Sequence, residues 1–146
     1  MRALLDVNVL VALLDSQHVF HLLAHDWLNA NLAQGWASCP ITQNGCIRIL
    51  SQPSYPNSAN AAAVAASLRV ALEGSAHTFW PDDVNLPQAQ NINWQHIFGS
   101  RQVTDAYLLA LAVKQKGRFV SFDQNLPIAA VAGANVQHVV VLGRRA

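Results

Sequence analysis

Short apolar runs alternate along this chain with longer stretches in which apolar residues recur at helical spacing. The pair Leu4-Leu5 predicts a short buried strand, and Val7 to Leu14 predicts a first helix. From Phe20 to Leu32 the positions Leu23, Trp27, Leu28 and Leu32 repeat with helical period, which predicts a second helix. Gly35 ends that helix, and Trp36 to Cys39 predicts a second strand that stops at Pro40. Thr42 reads as the N-cap of a helix carrying Ile47, Ile49 and Leu50. Pro53 to Ser58 has turn chemistry throughout, the alanine-rich run Ala59 to Leu72 predicts a helix closed by Gly74, and His77 to Trp80 predicts a third strand stopped by Pro81. Val84 to Ile97 predicts two short helical pieces. Thr104 reads as the cap of a helix through Tyr107, Leu108, Leu111 and Ala112 that ends near Gly117. Arg118 to Phe122 and Val136 to Leu142 supply the last two strands.

Strands alternating with helices predict right-handed crossovers and an α/β fold of three layers, with a central, mostly parallel five-stranded sheet between helices. At 146 residues, without repeat, linker or low-complexity segment, the expectation is one domain spanning residues 1–146.

Composition changes this picture in three ways. A hydrophobic share of 52% beside only 12% charged residues is high for a lone globule and predicts an apolar surface that meets a partner chain. The formal charge of +1 gives no general bias toward nucleic acid, so any such contact must use local arginines: Arg48, Arg69, Arg101, Arg118 or the Arg144-Arg145 tail. Cys39 and Cys46 lack metal or redox spacing and fit a reduced, cytoplasmic interior. Met1 to Leu5 mimics the start of a secretion signal, but Asp6 and Asn8 interrupt it. No apolar run approaches the ~18 residues that span a bilayer, so no membrane association is expected.

The candidate chemistry lies in the acids, of which the chain has eight. Asp6, Asp105 and Asp123 each stand where an apolar run stops or begins. In an open parallel sheet, ligands bind beyond the carboxyl ends of the strands. Carboxylates gathered there repel one another unless protons or a cation neutralise them, and a hard divalent metal suits oxygen ligands. Together they predict a metal-dependent hydrolase site. Taken singly, each has a structural alternative: an Asx turn or cap at Asp6, a dipole-stabilised acid in a first helical turn at Asp105, and an Asx turn before Gln124-Asn125 at Asp123. Asn8 is placed to orient a carboxylate. His21 and His25 are four apart on a predicted helix, but without a further ligand they and His18 read as packing or surface residues. Trp27, Trp36, Trp80 and Trp94 read as core and interface, with base stacking by Trp94, near His96 and Arg101, as the alternative. Asp82-Asp83 reads as a turn and helix start, with a place near the active site as the alternative.

The blocks Leu5-Asp6-Val7-Asn8-Val9-Leu10, Arg101-Gln102-Val103-Thr104-Asp105-Ala106-Tyr107 and Val120-Ser121-Phe122-Asp123 resemble the three acidic signatures of PIN domains, most closely those of VapC-type ribonuclease toxins. The stretches His18 to Trp27, Pro40-Ile41-Thr42, Arg48 to Ser51 and Phe79 to Asp83 match in the same order. The resemblance implies hydrolysis of RNA phosphodiester bonds, with one or two Mg²⁺ or Mn²⁺ ions on Asp6, Asp105 and Asp123. It also implies Thr104 and Ser121 near the metal, or as caps, and Arg48, Arg101 and Arg118 as candidate phosphate contacts, each with a solvated surface charge as the alternative. A small antitoxin protein and a homodimer are its implied partners. One position departs from the pattern. Where the family has a glutamate, this chain has Gln43, in Thr42-Gln43-Asn44, which offers an amide oxygen without charge; the alternative is that Gln43 is a surface residue beside a three-acid site. The corresponding alternative is a PIN domain that binds RNA or a partner without cleavage. A haloacid-dehalogenase-type phosphotransferase is disfavoured because Asn8 replaces the second acid of Asp-x-Asp and Lys114 and Lys116 fall at a helix end. A response-regulator receiver lacks its acid pair.

Overall fold

A computed structural model describes residues 1–143 of the chain. The five strands are β1 (Ala3–Leu5), β2 (Trp36–Ser38), β3 (His77–Phe79), β4 (Arg118–Ser121) and β5 (Val139–Val141). They form one sheet in the order β3-β2-β1-β4-β5, every neighbouring pair parallel. Ala3 pairs with Trp36 on one side and Arg118 on the other, so the strands run in near register. The helices are α1 (Val7–Leu14), α2 (His21–Asn31), α3 (Pro40–Leu50), α4 (Ala61–Leu72) and α5 (Arg101–Lys114).

Alternation along the strands divides the core into two halves. Leu4 and Phe119 pack with Leu108, Leu109 and Leu111 of α5 on one face. Ala3, Leu5 and Val120 point the other way, onto Val9 and Leu10 of α1, Cys46 and Leu50 of α3, and Val64 of α4. This is the three-layer α/β/α arrangement expected from the alternating pattern, with the sheet wholly parallel. α5 is buried without interruption from Asp105 to Ala112. The strand order reverses between β1 and β4: successive connections run outward from β1 to β3, then the chain returns through α5 to the other side of β1. Such a reversal opens a crevice at the carboxyl edge of the sheet.

Four element starts differ from the sequence expectation by more than one residue, each for a local reason. α3 starts at Pro40, whose fixed φ suits a first helical position. Thr42 therefore lies inside the helix and reaches back to accept the Cys39 N–H at 3.0 Å. α4 starts at Ala61 because Asn60 caps it, accepting from the Ala63 N–H at 2.8 Å. α5 starts at Arg101, so Thr104 is an exposed interior residue and not a cap. In the last apolar run, Asn135 caps a 3-10 turn at Val136–His138, and only Val139–Val141 pairs as a strand. The two short pieces between β3 and α5 are 3-10 turns at Leu86–Gln88 and Trp94–His96, and a further turn, Ile128–Ala130, was not foreseen. Among the described residues no helix is long and apolar enough to cross a membrane.

Candidate active site

Asp6 is the first residue beyond β1 and caps α1, its Oδ1 accepting from the Val7 N–H at 2.8 Å. Asp123 lies just past β4, where its Oδ1 accepts from the Asn125 N–H at 2.9 Å in an Asx turn. Asp105 comes from the second turn of α5, which packs on β1 and β4. Both strand-borne acids thus flank the reversal between β1 and β4. The local roles foreseen for Asp6 and Asp123 are real, and they hold the carboxylates at the crevice.

Ser121, fully buried at the end of β4, binds the elements together. Its Oγ donates to Asp6 Oδ2 at 2.6 Å and accepts from the Asp123 N–H at 3.0 Å and from Asn8 Nδ2 at 3.4 Å. A hydroxyl has one donor and two acceptor sites, so all of its capacity is used. Asn8 Oδ1 is buried with no partner, a polar atom left facing the same region.

The electrostatics are those of uncompensated negative charge. Burial, then the charges of Asp6 and Asp123, push the Asp105 carboxyl up to about 7 from an ordinary 3.8. Burial also raises Asp6, with a further push from Asp123, while the Ser121 and Val7 hydrogen bonds oppose it. Among the described residues the salt bridge is Lys114–Asp83 at 3.3 Å, which involves none of the three aspartates. Among the described residues, no group of three or more His, Cys, Asp or Glu side chains stands close enough together to hold a metal ion. The donor set is nevertheless all hard oxygen, and its mutual repulsion is what a divalent cation relieves. These residues fit such an ion if water fills part of its coordination shell.

Gln43 stands near the start of α3, just past the carboxyl end of β2 and so at the same sheet edge. Its Nε2 donates to the buried Ser38 Oγ at 2.9 Å, and Ser38 Oγ lies 2.8 Å from His77 Nε2. Burial and the nearby Arg2 charge lower the His77 pKa, which favours the neutral ring as acceptor from Ser38. The Gln43 amide is therefore fixed through its nitrogen, which leaves its oxygen for a cation or water.

The arginines separate. Arg101 is exposed at the start of α5 and lines a cavity of about 570 Å³ together with Asp123. Arg48 lies in the last turn of α3, away from the end that meets the sheet edge. Arg118 opens β4 at the opposite edge of the sheet, so its expected place at the phosphate is corrected. Its Nη2 donates to Asn31 Oδ1 at 3.0 Å and Gln34 Oε1 at 3.1 Å, and its guanidinium lies 5.0 Å from the Trp27 ring centre. It ties the sheet to α2. Arg69 sits in the last turn of α4, and Arg144-Arg145 fall outside the described residues.

The histidines serve packing: His21 Nδ1 and His25 Nε2 meet the Ala12 and Leu13 carbonyls at the end of α1, at 2.8 and 3.2 Å. Trp36 and Trp80 are core, and Trp94 is half-exposed. No helix starts at Asp82-Asp83, and Asp82 instead approaches Cys39 just ahead of α3. Sequence reasoning missed Ser38, His77 and Phe98. Phe98-Gly99 just before α5 is the local signal for the last of these, because an aromatic beside a turn residue at a helix entry has little to pack against.

Residues 3–133 match the family described as PIN domain. The chain is 49% identical to "Ribonuclease VapC44" of Mycobacterium tuberculosis (strain ATCC 25618 / H37Rv), over 97% of this chain and 100% of that protein. It is 42% identical to "Ribonuclease VapC39" of the same strain, over 91% and 96% of the two chains. The fold is shared with the crystal structure of VapC20 of Mycobacterium tuberculosis, described as a sarcin-ricin loop cleaving toxin, with TM-score 0.60, 17% identity and coverage of 89% and 96%. It is also shared with VapBC2 from Rickettsia felis bound to a promoter DNA fragment, with TM-score 0.54, 12% identity and coverage of 84% and 89%. These findings define the class: the chain belongs to the PIN-domain family, among its VapC ribonucleases.

Proposed function

We propose that this protein is a VapC-type ribonuclease toxin that hydrolyses RNA phosphodiester bonds with a divalent cation held by Asp6, Asp105 and Asp123. The observation that carries this reading is the gathering of three carboxylates at the strand-order reversal with no basic partner among the described residues, which raises the Asp105 pKa to about 7. A purely structural domain gains nothing from that repulsion.

Mg²⁺ or Mn²⁺, one ion or two, would supply a water of lowered pKa and Lewis-acid stabilisation of phosphate charge. The chain's own residues do the rest. Ser121 fixes Asp6 through its hydroxyl and Asp123 through the backbone. Asp105 would bind a cation as the deprotonated carboxylate. Asn8 Oδ1 and the Gln43 amide oxygen are neutral acceptors for water or substrate hydroxyls at the rim. Arg101 is the phosphate contact nearest this mouth.

A small antitoxin protein silences the enzyme, and a second copy of the chain forms a homodimer in the cytoplasm, with residues 1–146 acting as one domain. Exposed Val19, Leu22 and Leu23 at and beside the start of α2 are consistent with a partner-covered surface. The test is cleavage of total RNA by the antitoxin-free protein in Mg²⁺, in Mn²⁺ and in EDTA. Discrete fragments that require metal support the proposal. Metal binding with intact RNA in every condition would instead select the non-cleaving alternative.

A further inference from the structure

Phe98 is 79% exposed, an unusual position for an aromatic side chain in the segment that leads into a buried helix. It is not a loose tip. Gln102 Oε1 accepts the Phe98 N–H at 2.8 Å, while Gln102 Nε2 donates to the Asn125 carbonyl at 3.0 Å. Asn125 in turn donates its N–H to Asp123 Oδ1 at 2.9 Å. One glutamine therefore couples the aromatic segment to the turn that holds an active-site carboxylate. Phe98, Arg101, Gln102, Asp123 and Asn125 line the same cavity of about 570 Å³. Edge-to-face contact with His96, at 6.2 Å between ring centres and 87° between planes, supports the Phe98 ring from one side.

An exposed aromatic, an exposed arginine and amide groups around one cavity form the combination that binds an unpaired nucleotide. The ring stacks on a base, the guanidinium takes the phosphate, and neither demands a particular sequence. Trp94, the aromatic singled out by sequence, is not among the residues lining this cavity. We propose that the Phe98–Arg101 cavity is a subsite for a single-stranded nucleotide flanking the phosphate cut at the aspartates. The inference rests on the ribonuclease reading above. Phe98 and Arg101 contact substrate, and Gln102 is a positioning residue that keeps the stacking platform in register with Asp123.

The probe is a short single-stranded oligoribonucleotide carrying one fluorescent 2-aminopurine, titrated in EDTA so that nothing is cut. Cleavage of the same oligonucleotide is then followed in Mn²⁺. Stacking on Phe98 predicts that the wild-type protein changes the 2-aminopurine emission, that Phe98→Ala loses this change, and that Phe98→Tyr restores it. In cleavage, Phe98→Ala raises KM by about tenfold, the scale of one lost base stack, with kcat within about twofold. Arg101→Gln flattens the salt dependence of binding by about one phosphate contact. Gln102→Ala weakens the emission change without altering the far-ultraviolet circular dichroism. Unchanged emission and KM in Phe98→Ala would overturn the subsite, even if wild-type cleavage proceeds and the ribonuclease reading stands. If Phe98→Ala instead impaired only inhibition by the antitoxin, this face would be a protein-docking surface and the proposal would also fall. Because the emission titration needs no cleavage, an inactive wild type would sink the ribonuclease reading while still testing the subsite.

Discussion

At Asp105, burial and two neighbouring carboxylates act in the same direction, and this fixes the sign of its pH behaviour. Its folded-state pKa of about 7 lies above the ordinary 3.8. Between these values the folded chain keeps a proton that the unfolded chain has released. The stability contributed by that proton is complete below 3.8 and is lost as pH rises through about 7. His77 and Asp15, both lowered, contribute the opposite slope, so the wild-type curve alone mixes the effects. Asp105→Asn removes only the first. Denaturant unfolding without metal should show the variant gaining on the wild type as pH rises from about 5 to about 8. A constant difference would mean that Asp105 is an ordinary exposed acid. Ser121→Ala leaves Asp6 Oδ2 without its donor and the Asp123 N–H and Asn8 amide without an acceptor. It should lower kcat/KM about 10–100-fold, as lost support for metal ligands does, and cost about 1–3 kcal/mol of stability. At this scale the three aspartates were legible because they stand at the ends of apolar runs. Arg118 was misread because its partners, Asn31 and Gln34 on and after α2, are remote in sequence and no local pattern announces them. Phe98 carries a local signal in its neighbour Gly99, but its meaning depends on a cavity that only the folded chain creates.

Among the elements, period and punctuation located every strand and α-helix but not the 3-10 turn at Ile128–Ala130, while the caps decided where several began. Pro40 at the head of α3 and Asn60 ahead of α4 outcompeted the expected starts. At α5, Arg101 begins the helix, so Asp105 lies a full turn deeper and is buried. That shift matters to the site, since an acid in the first turn would face solvent and the helix dipole. The packing of α1 on α3 depends on Gly45, where an added Cβ would stand 2.7 Å from Val7 Cγ2. Replacing a helical glycine by alanine normally gains roughly 0.5–1 kcal/mol, but overpacking against a stiff β-branched side chain costs about 1–3 kcal/mol. The cost wins. Gly45→Ala should lower stability by about 1 kcal/mol, and because Val7 adjoins Asp6, metal affinity should fall with it. A more stable Gly45→Ala protein in chemical denaturation would show that the two helices separate freely.

For the whole molecule, sheet topology brings the aspartates to one edge. A parallel sheet whose order reverses at β1 and β4 presents two strand ends to one crevice, and the helix returning between them brings the third acid. Alternating elements predicted the layers and the direction of the sheet. They could not give the strand order, which is fixed by contacts between residues far apart in sequence, such as Leu4 with Phe119. The 49% identity to a VapC ribonuclease over nearly the full chain agrees with that construction. The central claim is that these three carboxylates together carry a cation-dependent cut in RNA. Its most direct test is cleavage of one RNA substrate in Mn²⁺ by wild type, Asp6→Asn, Asp105→Asn and Asp123→Asn, each first shown to be folded by circular dichroism. The account predicts metal-dependent fragments from the wild type and a loss of at least about 100-fold in each variant. Unimpaired cleavage by folded Asp6→Asn and Asp105→Asn proteins would contradict it.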